Sequence, residues 1–337
     1  MLKRIRVVPL AAESLGVRSM CTFVETADIK ILLDGGVSLC PNRFGLPPHP
    51  LEFDAIIEAR RRIAEVAAKA DVVSISHYHY DHVTPSFEDW LCNWTEPERT
   101  ARQIYEGKTV LAKNPREQIN PSQRERGWLF QKTTERYIGK LETADGKTFT
   151  FGSTRIKFSE PVSHGPENSD LGWVLMTTIE LENERFLYAP DVQGPMSTRT
   201  LEMILNEKPQ LMIIGGPPLY LAGFKVGEEQ IRNGLRSLER IAEAVPYVLL
   251  EHHILRDENW REKTTKLYYS AYKSGHTLQT AAEFAGRQNT FLEARRKKLF
   301  TEYPPSRDFE VWMRLSEEQK KHVKPPVLTH QYHKETS

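Results

Sequence analysis

The sequence predicts an α/β protein with one large core and appended segments. Short apolar runs typical of strands occur in both halves of the chain, and amphipathic segments typical of helices separate several of them. Hydrophobic residues make up 39% and charged residues 27% of the 337 residues, which is typical of a globular protein and excludes a disordered chain. A chain of this length can bury a single continuous core.

The first half begins with three predicted strands, followed by a helix and a fourth strand. The three strands are IRVVPL, SMCTFVET and IKILLD, and two glycines directly after Asp34 mark a sharp exit from the sheet. Asp54 is a candidate N-cap for a helix that runs to about Ala70, because apolar residues recur on one face of this segment. The fourth strand, at 71–76, is short and apolar and leads directly into a histidine-rich loop.

Residues 86–145 differ in character from the segments on either side. They carry three tryptophans among many arginines and lysines, and two Asn-Pro pairs interrupt them. We interpret this region as an inserted, partly helical cap on the core.

Strand patterns resume after this region and continue to residue 255. They are TFTFG, TRIKFSE, GWVLMTTIEL, RFLYAP, LMIIGG and YVLLE, with helices predicted near 198–206 and 228–243. The predicted core therefore spans residues 1–255 apart from the insertion. We expect residues 256–325 to form a helical C-terminal extension and residues 326–337 to form a flexible tail.

The composition favours a protein of the cytoplasm. No long apolar run suggests a membrane span, and the apolar stretch near the N-terminus is only about five residues long and alternates like a strand rather than a signal peptide. Cys21, Cys40 and Cys92 have unrelated spacings, which fits a reducing compartment better than a disulfide framework. The 46 Lys and Arg balance 45 Asp and Glu, so net charge gives no attraction to nucleic acid or membranes.

Three of the 11 histidines and one aspartate lie within six positions directly after the fourth predicted strand. In an extended segment His77 and His79 point to the same side, so both imidazoles can converge on one ion. Asp81 and His82 on the following turn can reach a second ion, about 3.5–4 Å from the first in two-metal sites. A solvated polar loop is the alternative, but burying four such groups without a cation would be costly. The cluster therefore predicts a two-metal site.

This HxHxDH motif after a buried strand resembles the hallmark of the metallo-β-lactamase superfamily. The resemblance covers roughly residues 3–255 apart from the insertion. It implies a four-layer αββα sandwich, here with a helical insertion and C-terminal helices.

The resemblance also implies three further ligands, each just past a strand. His164 in VSHG matches a histidine that would complete a site with His77 and His79, and Asp191 in YAPDVQG matches the acid that bridges the two ions. The final ligand would be His252 or His253 in LLEHHILRD. Because adjacent side chains point in different directions, one of this pair should bind metal while the other faces supporting residues or substrate.

Departures from the superfamily pattern narrow the range of branches that the chain resembles. An aspartate at 191, where the lactamases proper have a cysteine, is similar to hydrolase branches such as glyoxalase II and the nucleases. The redox di-iron enzymes carry HxExDH, so His79 disfavours that class. The chain between Asp191 and His252 is too short for the nucleases with a large inserted domain. The ending at 252–257 resembles an archaeal branch of predicted metal-dependent hydrolases without an assigned substrate.

We therefore predict a metal-dependent hydrolase with two divalent ions. Histidine and carboxylate ligands without a thiolate favour zinc and are also compatible with manganese or iron. Two such ions would activate a water, and Asp81 or Asp191 could orient it. A small ester, thioester or phosphodiester is the expected substrate. The alternatives are a nuclease or phosphodiesterase acting on single-stranded nucleic acid and a non-catalytic metal-binding protein.

Further residues are candidates for supporting the ligands or contacting the substrate. Asp34 can hydrogen-bond a ligand histidine or simply form a turn. Tyr78 and Tyr80, between the ligands, can face the substrate or pack into the core. The GGPPLY segment after a buried strand is expected to border the pocket. The remaining candidates are Tyr220, Lys225 and Arg256.

A basic segment within 86–145 raises the question of a nucleic-acid partner. Its cations surround Trp128, a combination that suits phosphate contacts and base stacking, and they are Arg116, Arg124, Arg126, Lys132 and Arg136. Interspersed glutamates dilute the patch, which favours a solvated helix face. A small-molecule substrate is therefore the preferred partner, and no oligomeric state is predicted.

Overall fold

The structure is a computed structural model that describes residues 2–167 and 169–327. Most of the predicted flexible tail, residues 326–337, lies outside the described residues. Within the described ranges no helix combines the length and the apolar composition needed to cross a bilayer.

Strands and helices alternate along most of the chain, and their bounds follow. The strands are β1 (Arg6–Pro9), β2 (Thr22–Glu25), β3 (Lys30–Leu33), β4 (Val72–Ile75), β5 (Thr109–Ala112), β6 (Lys140–Thr143), β7 (Thr148–Phe151), β8 (Thr154–Phe158), β9 (Val162–Ser163), β10 (Trp173–Val174), β11 (Thr177–Leu181), β12 (Glu184–Ala189), β13 (Leu211–Gly215), β14 (Tyr247–Glu251) and β15 (Thr277–Gln279). The α-helices are α1 (Pro50–Ala67), α2 (Arg99–Tyr105), α3 (Pro121–Thr134), α4 (Thr198–Glu207), α5 (Glu228–Ala244), α6 (Trp260–Lys263), α7 (Thr265–Lys273), α8 (Ala281–Phe284), α9 (Arg296–Glu302), α10 (Arg307–Met313) and α11 (Glu317–His322). Short 3₁₀ helices follow β13 and β14, at Leu219–Leu221 and His252–Arg256.

The strands form two large sheets. The first has the order β1-β2-β3-β4-β5-β6, antiparallel from β1 to β3 and parallel from β3 to β6. The second has the order β15-β14-β13-β12-β11-β8-β7, antiparallel from β7 to β12 and parallel from β12 to β15. A separate ribbon joins β9 to β10.

Alternating side chains on the strands build the core on both faces of each sheet. In β4, Val72 points to the apolar layer between the two sheets, whereas Val73 points to the outer face and packs with α1. Likewise Ile213 in β13 faces the first sheet, and Ile214 faces the helices α4, α5 and α7. Two sheets face to face, each covered by helices, form the predicted four-layer αββα sandwich. The prediction of the fold is therefore confirmed.

The structure corrects the prediction that residues 86–145 form an inserted cap. Strands β5 and β6 extend the first sheet beside β4, and α2 and α3 are the crossovers that keep these strands parallel. Only the irregular stretch between β4 and α2 resembles a cap. The many charges in this region lie on the solvent side of α3, whereas Phe130 on its other face joins the core.

Two further expectations need adjustment. The C-terminal extension at 256–325 is mostly helical, but it also supplies β15, which adds a strand to the second sheet beside β14. Asp54 lies inside α1, and the N-cap is His49, whose Nδ1 accepts the backbone N–H of Leu51 at 3.3 Å. The prolines before the helix hid this earlier start, although a proline in the first turn of a helix is favourable.

Candidate metal centre

Asp191, the residue expected to bridge two ions, lies at the centre of a cluster of imidazoles. It follows β12 and is buried. Its Oδ2 atom lies 3.0 Å from Nε2 of His164, 3.2 Å from Nε2 of His77 and 3.3 Å from Nε2 of His82. Nδ1 of His79 lies 4.0 Å from the same oxygen. Apart from His82, these residues place their ligand atoms within 4.8 Å of one another, a spacing at which they can hold one cation.

A second group of ligand atoms includes His252, which lies beside the other carboxylate oxygen. Nε2 of His252 lies 2.9 Å from Oδ1 of Asp191 and 3.5 Å from Oδ2 of Asp81. Together with His82, the Asp81 and His252 ligand atoms lie within 4.8 Å of one another. Nε2 of His253 lies 3.1 Å from Oδ1 of Asp191. The structure thus brings all the residues predicted as metal ligands to one place.

The candidate ligands lie where strands of both sheets end. The HxHxDH motif follows β4 of the first sheet, whereas Asp191 and His252 follow β12 and β14 of the second. His164 follows the short strand β9. The two parallel parts of the sandwich therefore deliver their carboxyl ends to a common edge.

Strained backbone marks three of the residues at this edge. Asp34, Asp191 and His252 have φ angles of 50°, 50° and 68°, a left-handed conformation that is uncommon outside glycine. Such conformations cost about 1–3 kcal/mol each and persist where the surroundings fix them. They turn the side chains sharply out of the strand ends and into the cluster.

Gly36 allows the motif loop to pack closely on the end of β3. Its N–H donates to the carbonyl of His82 at 3.1 Å, and a Cβ atom at this position would lie 2.4 Å from the His82 carbonyl carbon. No side chain fits there without moving the ligand loop. The second glycine of the DGG sequence is therefore required by this contact.

Asp34 contacts His82, one of the candidate ligands, as one of the two sequence interpretations proposed. Its Oδ2 atom accepts hydrogen bonds from Tyr188 at 3.0 Å and Ser76 at 2.5 Å, and lies 2.8 Å from Nδ1 of His82. Its Oδ1 atom accepts the backbone N–H of Ser76. A proton on Nδ1 of His82, held by Asp34, leaves Nε2 free to face the cluster. Tyr188 and Ser76 were not identified from the sequence.

Arg256 supports the second sheet's histidines. It is buried and donates to Oε1 of Glu13 at 2.6 Å and to Nδ1 of His253 at 2.8 Å. Its Nη2 atom lies 3.5 Å from Oδ2 of Asp81. Sequence reasoning selected Arg256 but missed Glu13, since nothing near Glu13 in the sequence suggests a contact with a residue so distant in the chain.

The electrostatics of the cluster suit a cation. Burial alone would raise the pKa of Asp191, but the neighbouring imidazoles, His252 first among them, hold it well below its ordinary value. Burial lowers the pKa of His77. Among the described residues, Nε2 of His82 and Oδ1 of Asp191 are buried without a hydrogen-bond partner. Orphaned buried atoms in a nitrogen and oxygen donor set fit divalent metal ions.

A cavity of 1260 Å³ opens onto the cluster. His79, His164 and Asp191 form part of its wall, together with the predicted residues Tyr80 and Lys225. Other predicted residues in the wall are Asp81, His253 and Arg256. The cavity is large enough to admit a small molecule to the metal ligands.

Two of the tyrosines considered as substrate contacts do not line this cavity. Tyr78 is fully buried and donates from its hydroxyl to the carbonyl of Lys113, which corresponds to the core-packing alternative. Tyr220 packs beneath the Arg43 guanidinium, 4.1 Å from its ring centroid, and borders the site without lining it. Whether each tyrosine lines the cavity depends on the direction of its side chain within a loop. Sequence spacing does not determine that direction.

The basic segment splits between two environments. Arg126 lies on α3 over the ring of Tyr80, 4.5 Å from its centroid, and lines the cavity. Trp128 is 55% exposed on the outer surface with Lys132 above its ring, and Arg136 pairs with Glu98. The segment is thus mostly a solvated helix face that contributes one cation to the cavity.

Comparisons with known proteins place the chain among close relatives. No family model matches it. It is 42% identical over 295 residues to the UPF0282 protein of Methanopyrus kandleri, covering 88% of this chain and 99% of that protein. It is 48% identical over 257 residues to the UPF0282 protein of Thermococcus onnurineus, covering 76% and 84%. Among solved structures, the metallo-β-lactamase fold protein YhfI from Bacillus subtilis is similar with 14% identity and a TM-score of 0.49, covering 86% of this chain and 99% of that one.

Proposed function

The chain belongs to the UPF0282 family of archaeal proteins, and we propose that it is a hydrolase that uses two divalent metal ions to activate water. The observation that carries the proposal is the position of Asp191, whose Oδ2 atom lies beside His77 and His164 of one group of ligand atoms while its Oδ1 atom lies beside His252 of the other. A shared carboxylate between two sets of histidines is the arrangement that dinuclear hydrolytic sites require. The adjoining cavity gives a substrate access to both groups of ligand atoms.

In this proposal the ligands divide according to the two groups. One ion takes His77, His79 and His164, and the other takes Asp81, His82 and His252, with Asp191 shared between them. Zinc is the preferred metal for this nitrogen and oxygen set, and manganese and iron are compatible with it. Asp34 orients His82 in the second set.

The chemistry expected of the site is attack by water on an ester-type bond. Two divalent ions, when bound, supply a nucleophile at neutral pH and polarise the bond to be cleaved. Asp81 has a side chain that is 15% exposed and lines the cavity, so its carboxylate can accept a hydrogen bond from the attacking water and orient it. The leaving group departs into the cavity.

Replacing a ligand from the first group tests the proposal. We expect His79→Ala to lose bound zinc and all turnover while keeping its secondary structure, because His79 is partly exposed and packs little of the core. Metal content by elemental analysis and circular dichroism would be measured on wild type and variant. His276→Ala is the matched control, since His276 contacts the carbonyl of Ala242 away from the cavity.

The outcomes of this experiment separate the alternatives. Unaltered metal content and activity in His79→Ala would contradict the proposed site. A wild type that binds two metal equivalents but turns over no ester, thioester, lactone or phosphodiester would favour a non-catalytic metal-binding protein.

A phosphodiester is the substrate class that the cavity favours. Arg126 and Lys225 both line it, and neither side chain forms an ion pair or hydrogen bond with another described residue. Two cations without partners near a metal site can bind the negative charge of a phosphate, which neutral esters and lactones lack. Glu88, Asp89 and Glu318 also line the cavity, so the positive charge is confined to particular parts of the wall.

We expect bis(4-nitrophenyl) phosphate to be hydrolysed faster than 4-nitrophenyl acetate. Arg126→Met and Lys225→Met should each raise the KM for the diester about tenfold, the loss of one charge-assisted contact. Steady-state kinetics on both substrates would check this. Lys132→Met is the control, because Lys132 lies over Trp128 outside the cavity.

A parallel measurement addresses single-stranded nucleic acid as the diester. Salt-sensitive binding of single-stranded RNA that is lost on neutralising Arg124 and Arg126 would support the nuclease alternative. Equal effects of the cavity substitutions on the diester and on the acetate would contradict a role in phosphate binding.

The state of the cysteines is compatible with the proposed reducing cytoplasm. The three cysteines are free thiols, and Cys21 and Cys40 are buried. Burial raises the pKa of the Cys92 thiol to about 12, which disfavours the thiolate form of this cavity-lining cysteine.

A further inference from the structure

We propose that a groove beside α3 binds a single-stranded nucleic acid and that the bound strand continues into the metal cavity. The inference rests on the proposed function, and it names an oligonucleotide as the phosphodiester substrate. The groove is separate from the metal cavity and has a volume of 460 Å³. Two arginines, a tryptophan and a glutamine in its wall carry the argument, and they are Arg116, Arg124, Trp128 and Gln131.

The two arginines of the groove give it unpaired positive charge. Arg116 lies in the loop after β5, and Arg124 lies near the start of α3. Both are exposed, and neither side chain forms an ion pair or hydrogen bond with another described residue. Glu125 also lines the groove, so its wall carries two cations against one anion. Guanidinium groups of this kind bind phosphate oxygens through paired N–H donors.

Trp128 distinguishes a nucleic acid from other polyanions. It lies four residues after Arg124, so the two side chains are neighbours on the surface of α3, and its side chain is 55% exposed. Nζ of Lys132 lies 4.8 Å from the ring centroid, and one ammonium group covers at most one face of the ring. An indole face beside arginines can stack a base, and the amide of Gln131 adds hydrogen-bonding groups. An acidic peptide would need the cations alone.

Close packing fixes the groove relative to the candidate metal ligands. A Cβ atom on Gly127 of α3 would lie 2.7 Å from Cβ of Pro115 and 2.9 Å from Cε2 of Tyr78. The helix therefore packs directly against the loop after β5 and against Tyr78, which lies inside the HxHxDH motif. Oε1 of Gln123 also accepts the backbone N–H of Tyr78 at 3.1 Å. The two walls of the groove are thus anchored to the loop that carries the ligands of the first sheet.

The groove and the metal cavity meet at the start of α3. Asn120 precedes Pro121 of the groove wall, and its Nδ2 atom donates to the carbonyl of Leu171 at 3.0 Å. Leu171 lines the metal cavity and is 40% exposed. Arg126, on the other flank of α3, lines the same cavity. Because a helix is about 10 Å wide, about three nucleotides connect the groove to Arg126.

The salt dependence of binding tests the two arginines. The probe is a fluorescein-labelled phosphorothioate oligouridylate of about ten nucleotides, which resists cleavage, and anisotropy measures its Kd for the full-length protein. Arg116→Gln and Arg124→Gln should each raise Kd severalfold and reduce the slope of log Kd against log salt by about 0.7, the value for one phosphate contact. Arg240→Gln, on the exposed face of α5, is the control with the same charge change. An unchanged slope in both groove variants, or an equal change in the control, would overturn the inference.

Two variants at position 128 test stacking with the same probe. Trp128→Ala should raise Kd about tenfold, and Trp128→Phe should recover most of this loss because it keeps an aromatic ring. Equal losses in the two variants, or no loss in either, would contradict a stacked base. A polyglutamate peptide of the same net charge should bind at least about tenfold more weakly than the oligonucleotide. Equal affinity for the peptide would identify the groove as a site for acidic proteins and overturn the inference.

Kinetics on two substrates connect the groove to the metal cavity. For an oligouridylate with ordinary phosphodiester bonds, kcat/KM of Trp128→Ala should fall about tenfold. It should stay at the wild-type value for bis(4-nitrophenyl) phosphate, which is too small to contact the groove and the metal centre together. An equal loss on both substrates would contradict a separate groove. A wild type that hydrolyses the small diester without binding the oligonucleotide would overturn this inference alone, whereas groove-dependent binding without hydrolysis of any diester would contradict the proposed function.

Discussion

Replacing Asp191 with alanine should remove both metal ions and lower the hydrolytic rate at least about 10³-fold, which corresponds to about 4 kcal/mol of activation free energy. The reason is that a single carboxylate faces both ligand groups, with His164 at 3.0 Å from one oxygen and His252 at 2.9 Å from the other. Elemental analysis and activity against the diester probe would measure the effect. The fold should persist, because the apolar layers of both sheets do not involve this side chain.

A matched control uses another aspartate on the same side of the molecule. Asp170→Ala changes an exposed residue in the loop after His164 and should leave both metal equivalents in place. If Asp191→Ala retained one tightly bound ion, the two groups of ligands would be independent and the shared carboxylate would not be the basis of the site.

The largest expected effect on stability comes from a buried ion pair between Glu52 of α1 and Arg296 of α9. Glu52→Ala should lower the free energy of unfolding by about 3–5 kcal/mol, because it leaves the charge of Arg296 buried without its partner. Arg296 is fully buried and binds both oxygens of Glu52 at 2.7 Å, while its remaining donors reach the carbonyls of Leu46 and Cys40. Denaturant unfolding would measure the loss.

Two further variants distinguish the effect of the Glu52 charge from the effect of Glu52 as an acceptor at the start of α1. Glu52 also accepts the N–H of His49 at the start of α1, and Glu52→Gln keeps that acceptor while removing the charge. We expect its stability to lie between those of wild type and Glu52→Ala. Glu58→Ala breaks an exposed pair with Arg61 on the same helix and should leave the unfolding midpoint nearly unchanged. Equal losses in Glu52→Ala and Glu58→Ala would contradict the burial argument.

The candidate ligands, which the structure brings together, could be selected from the sequence because they are local signals. The cluster at 77–82 follows a buried strand, and a histidine or aspartate just past a strand marks each of the other positions, His164, Asp191 and the pair at 252–253. Period-two alternation likewise located most strands and the αββα arrangement. These features depend on neighbouring residues, which a single sequence displays.

Features that depend on long-range contacts could not be predicted. Arg256 contacts both His253 and Glu13, and Glu13 becomes a neighbour of these residues only after folding. The left-handed backbone at Asp34 is enforced by tertiary packing rather than by residue type. Strands β5 and β6 were missed in the sequence because each is only four residues long. The charged residues of α3 between them also made the region look like an insertion.

The division of the ligands between two sheets has a consequence for the order of synthesis. A ribosome completes the HxHxDH loop and the first sheet well before it makes Asp191 and His252. The early segment alone can offer only part of each ligand group, so tight metal uptake must await the later half of the chain and its docking on the earlier half. Metal loading would therefore report that both sheets have been made and have docked on each other.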